Sequence, residues 1–159
     1  MKDIAKRKEI DYSESDILLG VDIIDKLKKV TDVLLYIKEH KNLKFSYILF
    51  HSTKKDFFSY IQKQKRDTDL AFHLSEEEYL YCLVCQETDI QGGYRFAERL
   101  MKSFNIDVDN SLDFYANVLF VDSNKYDSMG VLFELIDSYS EAKRQDPKWR
   151  KGQITYKTI

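Results

Sequence analysis

The sequence predicts an α+β fold in which helices flank a central, mostly antiparallel sheet of about five strands. Three observations predict it. One long stretch carries apolar residues at helical steps, five short runs have the length and alternation of strands, and helical and extended segments alternate along the chain. The 159 residues suit one domain around one core, and 43% hydrophobic content exceeds what a disordered chain carries. With five Gly and one Pro there is no linker-like interruption and no internal repeat. Residues 1–12 read as a loose polar lead-in and residues 13–159 as a single domain.

From Ser15 the chain turns helical. Val21, Ile24, Leu27, Val30, Leu34 and Ile37 recur at steps of three and four and form one apolar stripe. Ser13, Ser15 or Asp16 can cap this helix, and Gly20 predicts a break that divides off its first turn. Residues 45–51 read as a strand. A short helix within about 53–65 follows, with Phe57, Phe58 and Ile61 on one side. Residues 69–74 and 79–84 read as the strands of a hairpin whose turn is Ser75-Glu76-Glu77. A helix from about Ile90 turns Ala97, Leu100, Met101 and Phe104 inward. Residues 114–121 are a strand, and 126–144 a helix with Leu132, Leu135, Ile136 and Tyr139 inward. Residues 153–157 close the sheet as an edge strand. The order α-β-α-β-β-α-β-α-β is a ferredoxin-like layout.

Composition excludes several functions. The net charge is −2 and the pI about 5.9, so no basic field tracks a nucleic-acid backbone. The basic first residues are followed by no apolar h-region, and no run reaches the ~20 apolar residues that span a bilayer; a cytosolic protein is expected. Cys82 and Cys85 form a C-x-x-C within a strand, where residues three apart face opposite sides. Two thiols cannot close a zinc site, and His40, His51 and His73 are spread out, so no metal is expected. Lys148-Trp149-Arg150-Lys151 reads as a basic loop packing the only Trp onto the body.

Several segments, in order, resemble the GGDEF family of diguanylate cyclases. Asp16-Ile17-Leu18-Leu19-Gly20-Val21 is similar to the family's D-x-L-T-G-L. Arg66-Asp67-Thr68-Asp69, a strand, and Ser75-Glu76-Glu77-Glu78-Tyr79 resemble R-x-x-D, a strand and the G-G-[DE]-E-F turn. Glu87-Thr88-Asp89 with Phe96-Ala97-Glu98-Arg99-Leu100 resembles the "ETD…AERL" helix. The segment from Leu135 to Arg144 resembles "AD-x-ALY-x-AK-x", and Gly152 to Tyr156 resembles the closing strand. The likeness covers roughly residues 16–157 and implies a GGDEF, nucleotidyl-cyclase-like fold.

The resemblance also implies which functions survive. An active member needs glycines in the turn, carboxylates for two Mg²⁺ ions and a helix pair after the first strand. Here Ser75 and Glu76 replace the glycines, and the first strand ends Phe50-His51-Ser52-Thr53-Lys54-Lys55, with His51 about where a metal-binding Asp belongs. Glu77 is the one carboxylate left as a possible ligand, and Glu76-Glu77-Glu78 reads as a solvated acidic turn. Catalysis is therefore not expected. Many members also carry a separate inhibitory site that binds cyclic di-GMP through R-x-x-D. Arg66, Asp69 and, from the following helix, Arg99 match it, with Lys63 and Lys65 adding positive charge. An Arg fork suits guanine O6 and N7 or a phosphate, and a carboxylate accepts from guanine N1–H and N2–H. Taken singly, Arg66 and Asp69 read better as an exposed pair at a helix-to-strand junction, worth little to stability; the match of Arg99 as a third group tips the reading towards a site.

The pattern is similar to that of PelD-type receptor domains of bacteria. It implies an inactive cyclic di-GMP receptor without a cofactor that regulates an effector protein, such as one of exopolysaccharide or motility machinery. Homodimerisation stays open. A scaffold that binds no nucleotide and a residual diguanylate cyclase are the alternatives.

Overall fold

The computed structural model describes residues 12–104, 113–145 and 152–159. The expectations for residues 1–11 and for Lys148-Trp149-Arg150-Lys151 lie outside them. The elements are α1 (Glu14–Lys41), β1 (Phe45–Ser52), α2 (Phe57–Gln64), β2 (Leu70–Ser75), β3 (Leu80–Gln86), α3 (Ile90–Ser103), β4 (Phe114–Val121), α4 (Ser128–Gln145) and β5 (Gln153–Thr158).

The strands form one mixed sheet in the order β2-β3-β1-β4-β5. The β1–β3, β1–β4 and β2–β3 pairs are antiparallel, and β4–β5 is parallel. The units β1-α2-β2 and β3-α3-β4 are thus interleaved, each a β-α-β split by a strand of the other. Side chains alternate across the sheet, so each strand feeds two cores. Leu27 and Leu34 of α1 and Leu132, Leu135 and Tyr139 of α4 cover one face. Phe57 and Ile61 of α2 and Phe96, Ala97 and Leu100 of α3 cover the other. Cys82 lies in the first core and Cys85 in the second, and burial pushes both thiols up in pKa. No helix among the described residues is long and apolar enough to cross a membrane.

Several boundaries differ from the sequence expectation. Ser13 does cap α1, in a reciprocal capping box with Asp16, but the helix runs unbroken through Gly20. A Cβ there would meet Ile136 of α4 at 3.6 Å. One Gly costs a helix only about 1 kcal/mol, and packing against α4 outweighs it. The buried line of α1 is Leu19, Ile23, Leu27, Thr31, Leu34 and Lys38, so the expected stripe was rotated. Val21 is 48% exposed, and Ile24, Val30 and Ile37 flank the line rather than form it. Its centre is polar because the Thr31 hydroxyl hydrogen-bonds the buried Tyr47 hydroxyl.

α2 starts at Phe57 rather than near Thr53, because Asp56 is left-handed (φ 62°) and breaks the path. α4 starts at Ser128 rather than Tyr126, where the Asp127 carboxylate accepts from Gly130 N–H at 2.7 Å. The hairpin turn is residues 76–79, one later than expected. A bulge between His73 and Ser75 keeps Ser75 in β2 opposite Leu80 and leaves Tyr79, at φ 51°, in the turn.

Candidate functional site

The register sorts the loops to two ends of the sheet. Phe45 opposes Gln86 and His51 opposes Leu80. The segments before β1, before β2 and after β3 therefore meet at one end, and the β2–β3 turn lies at the other.

At the first end is a cleft of about 410 Å³. Arg66 and Asp69 from the α2–β2 loop and Arg99 from α3 all line it, so the fold brings the three sequence-predicted ligand residues together. α3 can lie this close to the sheet because Gly93 faces β4. A Cβ there would come within 2.5 Å of Val118 Cγ1. Arg99 stands exposed with its guanidinium 5.3 Å from the Phe96 ring centre. Lys63 and Lys65 do not line the cleft; the third cation there is the exposed Lys44, just before β1.

Arg66 and Asp69 are not an exposed pair. The Asp69 side chain is 3% exposed and that of Arg66 54%. Arg66 donates from Nη2 to Asp69 Oδ1 at 2.9 Å and from Nε to Oδ2 at 3.2 Å, a planar fork on a carboxylate. Its backbone N–H adds a third bond to Oδ2. The hydrogen bonds to Asp69 raise the Arg66 pKa, keeping the guanidinium charged. Nη2 also reaches Gln86 O at 2.6 Å and Thr88 Oγ1 at 2.7 Å. Both Asp69 oxygens are therefore occupied, and in this conformation they do not face a ligand.

Between the two residues held by Arg66 lies Glu87. It lines the cleft, is exposed, and has φ 49°, a left-handed conformation that costs a non-glycine residue about 1 kcal/mol or more. The loop is pinned around it. Glu87 N–H donates to Lys44 O, Ser46 Oγ to Thr88 O, and Gln86 Nε2 to Thr68 O. Asp89 then caps α3 through Gly92 N–H. Sequence reasoning missed Lys44 and Glu87; the resemblance marked Glu87 only as part of a helix-entry motif, and nothing marks Lys44.

At the opposite end some of the side chains around the β2–β3 turn are bonded to the fold. Ser75 Oγ accepts from Glu78 N–H at 3.2 Å, and Glu78 pairs with Lys143 at 3.6 Å. His51 Nδ1–H donates to Glu78 O at 2.8 Å and its ring meets Tyr79 edge-on. Burial lowers the His51 pKa from 6.5. Glu76 and Glu77 are exposed turn residues. Among the described residues no three His, Cys, Asp or Glu side chains are grouped to hold a metal ion.

The chain matches no family model, no curated protein and no solved structure.

Proposed function

We propose that this chain is a catalytically inactive, GGDEF-like domain and a cytosolic receptor for cyclic di-GMP, which it binds in the cleft at the Arg66 end of the sheet. The observation that carries this reading is the convergence of Arg66, Asp69 and Arg99, from two separate elements, on one cleft. About 410 Å³ is within the range that holds a small-molecule ligand. Arg99 and Lys44 supply positive charge for the phosphates, and the Arg99 plane over Phe96 offers a stacking surface for a base. The split β-α-β core is the layout expected of the family. Loss of catalysis is supported by Ser75 and Glu76 in place of glycines and by the internal bonds that engage His51 and Glu78. Occupancy of the cleft then alters contacts with an effector protein.

Calorimetric titration with cyclic di-GMP, cyclic di-AMP and GTP tests this. The expected result is binding of cyclic di-GMP at about −8 kcal/mol, the free energy of a micromolar complex, lost in Arg99→Ala. No heat from folded protein would overturn it.

A second reading has its own observation. Ile17 and Val21 of α1 and Phe133 of α4 are 48–59% exposed beside an apolar groove. An interaction scaffold would use that groove, and its partner binding would survive Arg99→Ala with no nucleotide effect. A residual cyclase would instead make cyclic di-GMP from GTP and Mg²⁺ in a Glu77-dependent way; no product is expected.

A further inference from the structure

We propose, resting on the receptor reading, that Glu87 and not Asp69 is the carboxylate that reads guanine, and that the Arg66–Asp69 pair is the clamp that positions it. Guanine recognition needs an acceptor facing both N1–H and N2–H, a pattern adenine lacks. Asp69 is a poor candidate. It is 3% exposed, and both oxygens accept from Arg66. Freeing it would break a fork-on-carboxylate pair and a backbone hydrogen bond together.

Glu87 meets each requirement that Asp69 fails. Its side chain is exposed in the same cleft, and among the described residues its carboxylate has no partner. Its strained backbone is over-determined. The preceding carbonyl and the following hydroxyl are both held by Arg66 Nη2, and its own N–H is held by Lys44 O. Strain kept in place by so many contacts marks a position whose direction matters. Arg66, itself oriented by Asp69, thus fixes the loop on both sides of Glu87. Lys44 and Arg99 are left for the phosphates.

The two carboxylates are separated by isosteric replacements, Glu87→Gln and Asp69→Asn, each titrated with cyclic di-GMP and cyclic di-AMP, with thermal melts to show folding. Glu87→Gln should weaken cyclic di-GMP by about tenfold and leave cyclic di-AMP unchanged, removing the preference. Asp69→Asn should keep the order of preference even where both affinities fall. Glu87→Ala repeats the test without the amide. A preference retained in Glu87→Gln and Glu87→Ala overturns the assignment while leaving the receptor reading intact. Wild-type protein that binds neither nucleotide overturns the receptor reading and this assignment with it.

Discussion

The two ends of the sheet carry similar residues and use them differently. One is bounded by the β2–β3 turn and the other by the segments that enter and leave that hairpin, both hold carboxylates and cations, and β1 separates them by roughly 23 Å. At the turn end, Glu78 is held by Lys143 and its carbonyl by His51, which leaves the exposed Glu76 and Glu77 facing solvent. At the cleft end, one ion pair, Arg66–Asp69, holds the backbone, and Lys44, Glu87 and Arg99 are turned toward a concavity. The residue types alone do not distinguish the ends. What does is the charge left over: at the turn end two exposed carboxylates, Glu76 and Glu77, beside a lysine, Lys26, already bound to His73 O and Leu74 O, and at the cleft end two exposed cations, Lys44 and Arg99, beside Glu87.

The largest break in this comparison is Arg66→Ala. It strands the buried Asp69 carboxylate and unpins the loop at Gln86 and Thr88. Arg66 is half exposed, so the cost falls at the low end for a buried pair, about 2–3 kcal/mol by urea unfolding. Glu87→Gly acts in the opposite direction. It relieves a left-handed φ of 49° and should raise stability by about 1 kcal/mol net of chain entropy, while weakening cyclic di-GMP binding about tenfold. Stability and binding moving oppositely would mark the position as functional.

A smaller effect comes from His51 at the turn end. Its folded pKa lies below the ordinary 6.5, so the fold favours the neutral ring. The stabilisation is present above pH 6.5 and is lost as pH falls from there through the folded value. Unfolding midpoints measured down this window should drop, and His51→Gln should flatten the drop. The smallest effect is expected from Glu76→Gln with Glu77→Gln. These exposed turn residues should change stability by no more than about 0.5 kcal/mol and leave cyclic di-GMP affinity unaltered.

How far the sequence could be read differs between the ends for physical reasons. The order of all nine elements was legible, because strand runs such as β4 and helical spacings such as Leu132, Leu135 and Tyr139 are strong periodic signals. The grouping of Arg66, Asp69 and Arg99 was legible through the resemblance. The bond pattern was not. Nothing local shows that Asp69 is buried, or that Arg66 Nη2 reaches across to Gln86 O and Thr88 Oγ1, because those contacts depend on the β2–β3 register. The rotated face of α1 was hidden by Thr31, a polar residue satisfied within the core by Tyr47. The bulge at His73 and Ser75 moved the turn by one residue, and no Gly or Pro in the sequence announces it.

The most direct test is to observe both ends at once. Backbone amide resonances are recorded by NMR during titration with cyclic di-GMP. Saturable shifts at Glu87, Thr88, Gly92 and Arg99, with Glu76, Glu77 and Tyr79 unmoved, are predicted. Shifts confined to the turn end, or none at either end, would contradict the assignment of function to the cleft.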